Sequence, residues 1–310
     1  MAMNRILKKQ ATNKLHPGTV IIGKFKGNTY TIKRKLGEGA IGTVYLCERN
    51  QKYYALKISE KQTSITMEVN VLKALEQVQG RSLGPALFDV DDWIVPQGGK
   101  YSFYVMEFVK GESVAAFIRQ HGAAWIAPLM FQLIERLEGL HQAGWIFGDL
   151  KADNLIVSTS PPHIRWIDVG GITQIGRAIK EYTEFYDRGF WGMGTRKAEP
   201  SYDLFALAMV FLQIYYPKQF TRPDQAKGKY LLKKVDQVKE LKPFAIILKK
   251  AIVGKYRTAS EMKQELNQLL LQPPKRQDRR IEKRTEHIWL ETAWISLLSL
   301  FYLLFSFFIH

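Results

Sequence analysis

Three polar side chains crowd one short stretch, FGDLKADN, residues 147 to 154: Asp149, Lys151 and Asn154. Apolar runs flank it, GWI before and LIV after, so the three read as a tight loop between buried segments. An acid, a cation and an amide held that close can act together on one polar group. A second acid, Asp168, ends the apolar segment IRWIDVGG and is followed by two glycines. Upstream, GEGAIGTV (37–44) has the form G-x-G-x-x-G-x-V, with Gly37, Gly39 and Gly42. Glycines there let the backbone fold over phosphates without side-chain obstruction. Lys57 sits inside the apolar run YYALKIS. A lysine so placed is costly without an anionic partner, and Glu68 is a candidate for that partner. The plain alternatives are a glycine-rich hairpin and a snorkelling edge lysine.

These residues need positioning elements. NTYTIKRKL, TVYLCERN and KYYALKIS read as strands, with the glycine-rich turn between the first two. A dinucleotide fold would place a helix after that turn, so the pattern argues against one. SITMEVNVLKALEQV, which carries Glu68, has helical spacing. YSFYVMEFVKGESVAAFI (101–118) reads as a strand, a connector at Glu107–Gly111 and a helix. WIAPLMFQLIERLEGLHQAG (125–144) has strong 3.6-residue periodicity and ends at Gly144. Strands lead and helices follow, an α+β arrangement.

The ordered set of glycine loop, strand lysine, helical glutamate, D-x-K-x-x-N loop and D-x-G resembles the eukaryotic-like (Hanks-type) Ser/Thr protein kinases over roughly residues 25 to 270. That resemblance implies a bilobal kinase fold, with a small antiparallel β-rich N-lobe and a mostly helical C-lobe. It also implies ATP and Mg²⁺ as cofactors and a protein as substrate. By the match, Asp149 orients the substrate hydroxyl and accepts its proton, while Lys151 reaches the transferring phosphate. Asn154 and Asp168 hold Mg²⁺ between phosphate oxygens. Lys57, paired with Glu68, binds the α- and β-phosphates under the Gly37–Gly39–Gly42 loop. Val44, Ala55 and Ile156 sandwich adenine, Met106 is the gatekeeper, the backbone of Glu107 and Val109 bonds the adenine edge, and Glu112 is placed for the ribose.

The sequence departs from the family's pattern in several places. Phe147 and Gly148 stand where the family has His-Arg, and that arginine normally holds an activation-loop phosphate. Val169 replaces the phenylalanine of D-F-G. Ala198, Glu199 and Pro200 give the A-P-E motif in altered order, and Asp203 follows sooner than the family's helix-F aspartate does. Lys255 stands where an arginine normally pairs with the A-P-E glutamate. Two alternatives stay open. Gly148 also fits the GD-x-x-x-x-N loop of small-molecule phosphotransferases such as aminoglycoside and choline kinases, and a pseudokinase scaffold would carry the same fold.

The 310 residues are 46% hydrophobic, enough for one large domain or two coupled lobes. The single cysteine, Cys47, excludes an intramolecular disulfide, fits a reducing compartment and reads as a buried strand residue. Net charge is +16, of which +12 falls between Lys218 and Arg284. Lys227, Lys229, Lys233, Lys234, Lys249, Lys250, Arg279 and Arg280 are its candidate polyanion-binding members. An anionic membrane surface and non-sequence-specific DNA are the candidate partners, set against a merely solvated face. The last 18 residues before His310 (292–309) carry no formal charge, and about 27 Å of helix nearly spans a hydrocarbon core. Six cations lie in 275–284 ahead of that run, which predicts a C-terminal transmembrane helix with the body cytoplasmic. A hydrophobic helix docked on the body is the alternative, and the N-terminus lacks the apolar core of a signal peptide.

The expected organisation is a basic N-terminal segment (1–24) and a kinase domain (25–270, N-lobe 25–109, C-lobe 110–270). A basic juxtamembrane linker (271–287) and a transmembrane helix (288–310) follow. The whole layout resembles the YabT-type membrane-anchored Ser/Thr kinases of spore-forming bacteria. Self-association for autophosphorylation is a further expectation from the family.

Overall fold

The computed structural model describes residues 15–39, 42–77, 83–95, 98–159, 161–225 and 227–271. A compact body runs to Asn267, and a second unit, described only to Leu271, begins at Gln268. The transmembrane segment expected at 288–310 and the linker residues Arg279 and Arg280 lie outside the described residues. Among the described residues no helix is long and apolar enough to cross a membrane.

The chain opens with strands β1 (Val20–Ile22), β2 (Thr29–Glu38), β3 (Thr43–Arg49) and β4 (Lys52–Ser59). Helix α1 (Gln62–Glu76) follows, then β5 (Leu87–Ile94) and β6 (Lys100–Glu107). The six strands form one antiparallel sheet in the order β1-β2-β3-β4-β6-β5. The sheet thus starts at Val20, ahead of the boundary expected at residue 25. Its two edges also meet. Lys24 N donates to Asp92 O at 2.8 Å, and the Asp91 carboxylate accepts from the backbone of Phe25 and Lys26. Although burial opposes it, hydrogen bonds from Lys26, Asn28 and Tyr30 hold the Asp89 carboxyl below its usual range.

Strand alternation decides what each face of this sheet does. Ile32, Tyr45, Cys47, Leu56, Ile58, Tyr101, Phe103 and Val105 all point one way, into a single apolar core with Ile21 and Tyr30. Cys47 belongs to that core as expected, and burial pushes its thiol up to about 12. The intervening residues Val44, Ala55, Lys57, Tyr104 and Met106 therefore share the opposite face.

A short connector leads to β7 (Glu112–Ser113) and helix α2 (Val114–His121), where the Ser113 hydroxyl caps Ala116 N. Helix α3 (Ile126–Gln142) buries Ile126, Leu129, Met130, Leu133, Ile134, Leu137 and Leu140 at the expected helical spacing. Gly144 lies just past its end at φ +86°. Short strand β8 (Trp145–Ile146) enters the 147–154 loop, and β9 (Leu155–Thr159) and β10 (Pro162–Trp166) leave it as a hairpin. Strand β11 (Thr173–Gln174) pairs back with β8.

Helix α4 (Pro200–Tyr215) is buried on nearly all sides, from Tyr202 through Leu212, with Pro200 in its first turn. A helix apolar all round belongs in the centre of a layer, and α4 forms the axis of the C-lobe. Helix α6 (Ala245–Ile252) packs against it and α5 (Lys227–Asp236) packs against α6, while α7 (Ala259–Leu271) bonds Glu138 of α3 through Ser260 and Lys263.

Candidate active site

Three elements bring Lys57, Glu68 and Asp168 together. Lys57 projects from β4 on the non-core face, opposite Tyr104 of β6. Glu68 comes from the buried side of α1, where Ile65, Val69 and Leu72 fix the helix against the lobe. Lys57 Nζ lies 2.8 Å from Glu68 Oε2 and 3.3 Å from Asp168 Oδ1. Tyr104 OH donates to Glu68 Oε2 at 2.6 Å. Burial works against the ammonium, but the Asp168 and Glu68 charges overrule it and hold Lys57 above its usual range. This satisfies the expectation that Lys57 needs a buried anion. The snorkelling alternative does not hold, because the residue is only 5% exposed.

In the loop, Lys151 Nζ lies 2.5 Å from Asp149 Oδ2, and Asn154 Nδ2 donates to the Asp149 carbonyl at 3.0 Å. The amide thereby ties its end of the 3₁₀ turn Ala152–Asn154 to the start of the loop. Asp168 Oδ1 accepts Gly170 N at 3.0 Å, while its side chain stays 42% exposed. Asn154 and Asp168 are two oxygen donors of the hard type a magnesium ion takes. Among the described residues no three His, Cys, Asp or Glu side chains cluster. Two protein donors completed by phosphate oxygens is the usual way such an ion is held.

The remaining residues expected at the nucleotide lie on the sheet, the connector after it and the β7–β9 pair. Gly39 N bonds Gly42 O at 2.9 Å, closing the glycine turn between β2 and β3. A side chain at Gly42 would collide with the Ile58 carbonyl, so that glycine is required by close approach to β4. Val44 is paired with Lys57, and Ala55 with buried Met106, on the cleft face of the sheet. Glu107 follows Met106. Arg165 grips its carboxylate with two bonds, at 3.1 and 2.6 Å. Val109 is half-buried on the connector, and Glu112 pairs with Val157 in β7–β9, beside Ile156.

Sequence reasoning did not place Thr183 or Asp203 against the catalytic loop. Thr183 Oγ1 donates to Asp149 Oδ1 at 2.9 Å and lies 3.3 Å from Lys151 Nζ. Nothing in the spacing marked it, because the A-P-E landmark downstream is out of order. Asp203, fully buried at the start of α4, accepts from Phe147 N at 2.7 Å and Gly148 N at 3.0 Å. His141 Nε2 lies 2.9 Å from the same carboxylate. Asp203 therefore anchors the catalytic loop directly, despite its early position in the sequence.

Gly148 has a backbone reason. It sits at φ +77°, and a Cβ there would collide with the Gly171 carbonyl oxygen. A Cβ on Gly171 would in turn lie 2.7 Å from Asp149 Cβ. The two glycines let the Asp168-Val169-Gly170-Gly171 segment lie backbone to backbone against the loop. This accounts for Gly148 without reference to substrate size.

Glu199 does not wait for Lys255. Arg188 Nη2 holds it at 2.7 Å, while Arg188 Nε donates to the Thr195 carbonyl and Nη1 to the Ser201 hydroxyl. Beside it, fully buried Asp187 accepts from Arg196, Tyr202 OH, Gly189 N and Phe190 N. These paired ions fix the segment that carries Thr183.

Some candidates of the basic face have partners in the chain. Lys249 pairs with Asp236 at 2.5 Å and Lys250 with Glu265 at 2.8 Å. Lys234 Nζ lies over the rings of Tyr216, Phe220 and Tyr230, 4.9 to 5.3 Å from their centres. These three lysines thus have partners within the chain. Lys229 and Lys233 are exposed on α5, and Lys227 is half-exposed at its start.

Comparison with known proteins agrees with this geometry. The protein kinase domain family matches residues 30–290. The serine/threonine-protein kinase YabT of Bacillus subtilis is 50% identical over 265 residues, covering 85% of this chain and 78% of YabT. The serine/threonine-protein kinase cek1 of Schizosaccharomyces pombe is 27% identical over 154 residues, 48% of this chain and 11% of that protein. The solved structure of vaccinia related kinase 3 superposes with TM-score 0.59 at 16% identity, covering 86% of this chain and 95% of that one, a likeness of fold alone. The chain belongs to the protein kinase family, as a Hanks-type Ser/Thr kinase of the bacterial kind.

Proposed function

We propose that the chain transfers the γ-phosphate of ATP to hydroxyls of protein substrates, with Asp149 as base, Lys151 at the transferring phosphate and Asn154 with Asp168 as Mg²⁺ ligands. Lys57, held by Glu68, binds the α- and β-phosphates. The ion supplies charge neutralisation between phosphate oxygens when bound. The observation that carries this reading is the Thr183 hydroxyl lying 2.9 Å from Asp149 Oδ1 and 3.3 Å from Lys151 Nζ. A hydroxyl is already held against the base and the cation, within the reach general base catalysis needs. Asp149→Asn tests it. ATP binding should stay nearly intact while phosphotransfer falls about 10²–10⁴-fold. Turnover equal to the unaltered chain would refute the assignment.

The charged C-terminal stretch gives the reading a location. The uncharged run 292–309 behind six cations supports anchoring with the kinase body on the cytoplasmic face of the cell membrane. The net +12 between Lys218 and Arg284 supports attraction to anionic lipid or to DNA, with activity or self-association responding to it. A chain shortened at Arg284 should bind duplex DNA with an affinity that falls steeply with salt and little with sequence. Adsorption to anionic vesicles without DNA binding would favour the membrane, and binding to neither would leave a solvated face.

A further inference from the structure

We propose that the exposed cationic ribbon formed by residues 177–180 and 195–197 docks acidic residues flanking the phosphoacceptor of the protein substrate, an inference that rests on the kinase reading above. The ribbon is built by backbone pairing. Ala178 bridges Lys197, Ile179 N donates to Arg196 O at 2.8 Å, and Ala198 N donates to Arg177 O at 2.7 Å. Ile179 and Ala198 turn inward and pack with Ile146 and Tyr202. The alternation then sends Lys197 and Lys180 to the outer side, diagonal neighbours about 7–8 Å apart. Lys180 and Lys197 are exposed on that side; Arg177 is exposed as well but stands opposite Ala198, off the outer face.

Two of the nearby carboxylates are already paired with other cations. Asp187 is buried with Arg196, and Glu199 is held by Arg188, although Lys197 also stands near it. Burial and the Glu68 charge hold the carboxyl of Glu181, exposed beside Lys180, above its usual range. Glu181 and Glu184, both exposed, are the carboxylates that oppose the ribbon. Among the described residues none of the three cations makes an ion pair.

Position gives the ribbon its role. The chain runs from Lys180 through Glu181 and Tyr182 to Thr183, whose hydroxyl touches Asp149. Three residues span at most about 10 Å, so Lys180 stands within a few residues' reach of the phosphoacceptor on a bound peptide. Arg196 stacks on Tyr182, 4.0 Å from its ring centre, and its bond to Asp187 fixes that edge of the ribbon. A substrate with Asp or Glu beside its Ser or Thr meets positive charge there, and one with Lys or Arg meets repulsion.

The test uses the full chain and three serine peptides that differ only in flanking residues: glutamate, alanine or lysine. The glutamate peptide should show kcat/KM roughly tenfold above the alanine peptide, through KM, and the lysine peptide should fall below both. In the Lys180→Glu, Lys197→Glu double variant the order of the glutamate and lysine peptides should invert. In Lys180→Gln, Lys197→Gln the ratio should fall toward one. Each ratio is taken within one variant, so a general folding defect lowers all three rates and leaves the ratio alone. An unaltered glutamate-to-alanine ratio in both variants, or equal use of the three peptides by the unaltered chain, overturns the docking surface. Failure of the unaltered chain to phosphorylate any peptide while still binding ATP overturns the kinase reading itself.

Discussion

The 147–154 loop and the 176–201 segment touch through Thr183 and Asp149 but are held by different means. In the loop, the chemistry-bearing side chains lie within a few residues of one another, and Asp149, Lys151 and Asn154 bond mostly among themselves. In the segment, each anchor joins distant or inverted positions: Arg188 to Glu199, Arg196 to Asp187, Thr183 to Asp149. The first kind of order is visible as spacing. The second is a polar network whose members have ordinary neighbours in sequence. The comparison also shows how a kinase can lack the loop arginine and the ordered A-P-E motif and still fix its segment, because the buried ions replace both.

The largest effect should come from removing the segment's buried anion. Asp187→Ala strips the partner from Arg196 and leaves Tyr202 OH and two backbone N–H groups without their acceptor. A cost of about 2–4 kcal/mol is expected, seen as a Tm lowered by roughly 5–15 °C. Phosphotransfer should fall with it, since Thr183 loses its support. A variant with unchanged Tm would show that the segment is held as locally as the loop.

A smaller but more specific effect is expected in the loop. Restoring the family's arginine by Gly148→Arg should damage the enzyme. The residue sits at φ +77° against the Gly171 carbonyl, so a side chain costs about 1–3 kcal/mol of strain and shifts Asp149. Thermal denaturation together with kcat measures both consequences. Gain of activity would mean that the glycine pair is dispensable.

The smallest effect concerns phosphorylation. With Gly148 in the arginine's place, a phosphate on Thr173, Thr183 or Thr195 lacks its usual contact. The paired ions already order the segment, so phosphatase treatment should change basal activity only modestly. Complete loss on dephosphorylation would show that another cation, such as Arg177 or Lys180, has taken over that contact.

Much of the site was legible because catalysis constrains side-chain type at short range. The glycine turn, Lys57, Glu68, the D-x-K-x-x-N loop and Asp168 could be named from spacing, and strand alternation put Val44, Ala55, Lys57 and Met106 on one face. The sequence by itself determined these elements, because period and motif are local properties of a chain. Tertiary structure alone decided that Asp203 reaches back to Phe147 and Gly148, that Thr183 meets Asp149, and that Glu199 pairs with Arg188 rather than Lys255. It alone decided that Lys234, Lys249 and Lys250 lie against rings and carboxylates of the same chain. A buried charge takes whichever counter-charge the packing of helices and turns brings within about 3 Å, and separation along the chain does not encode that distance.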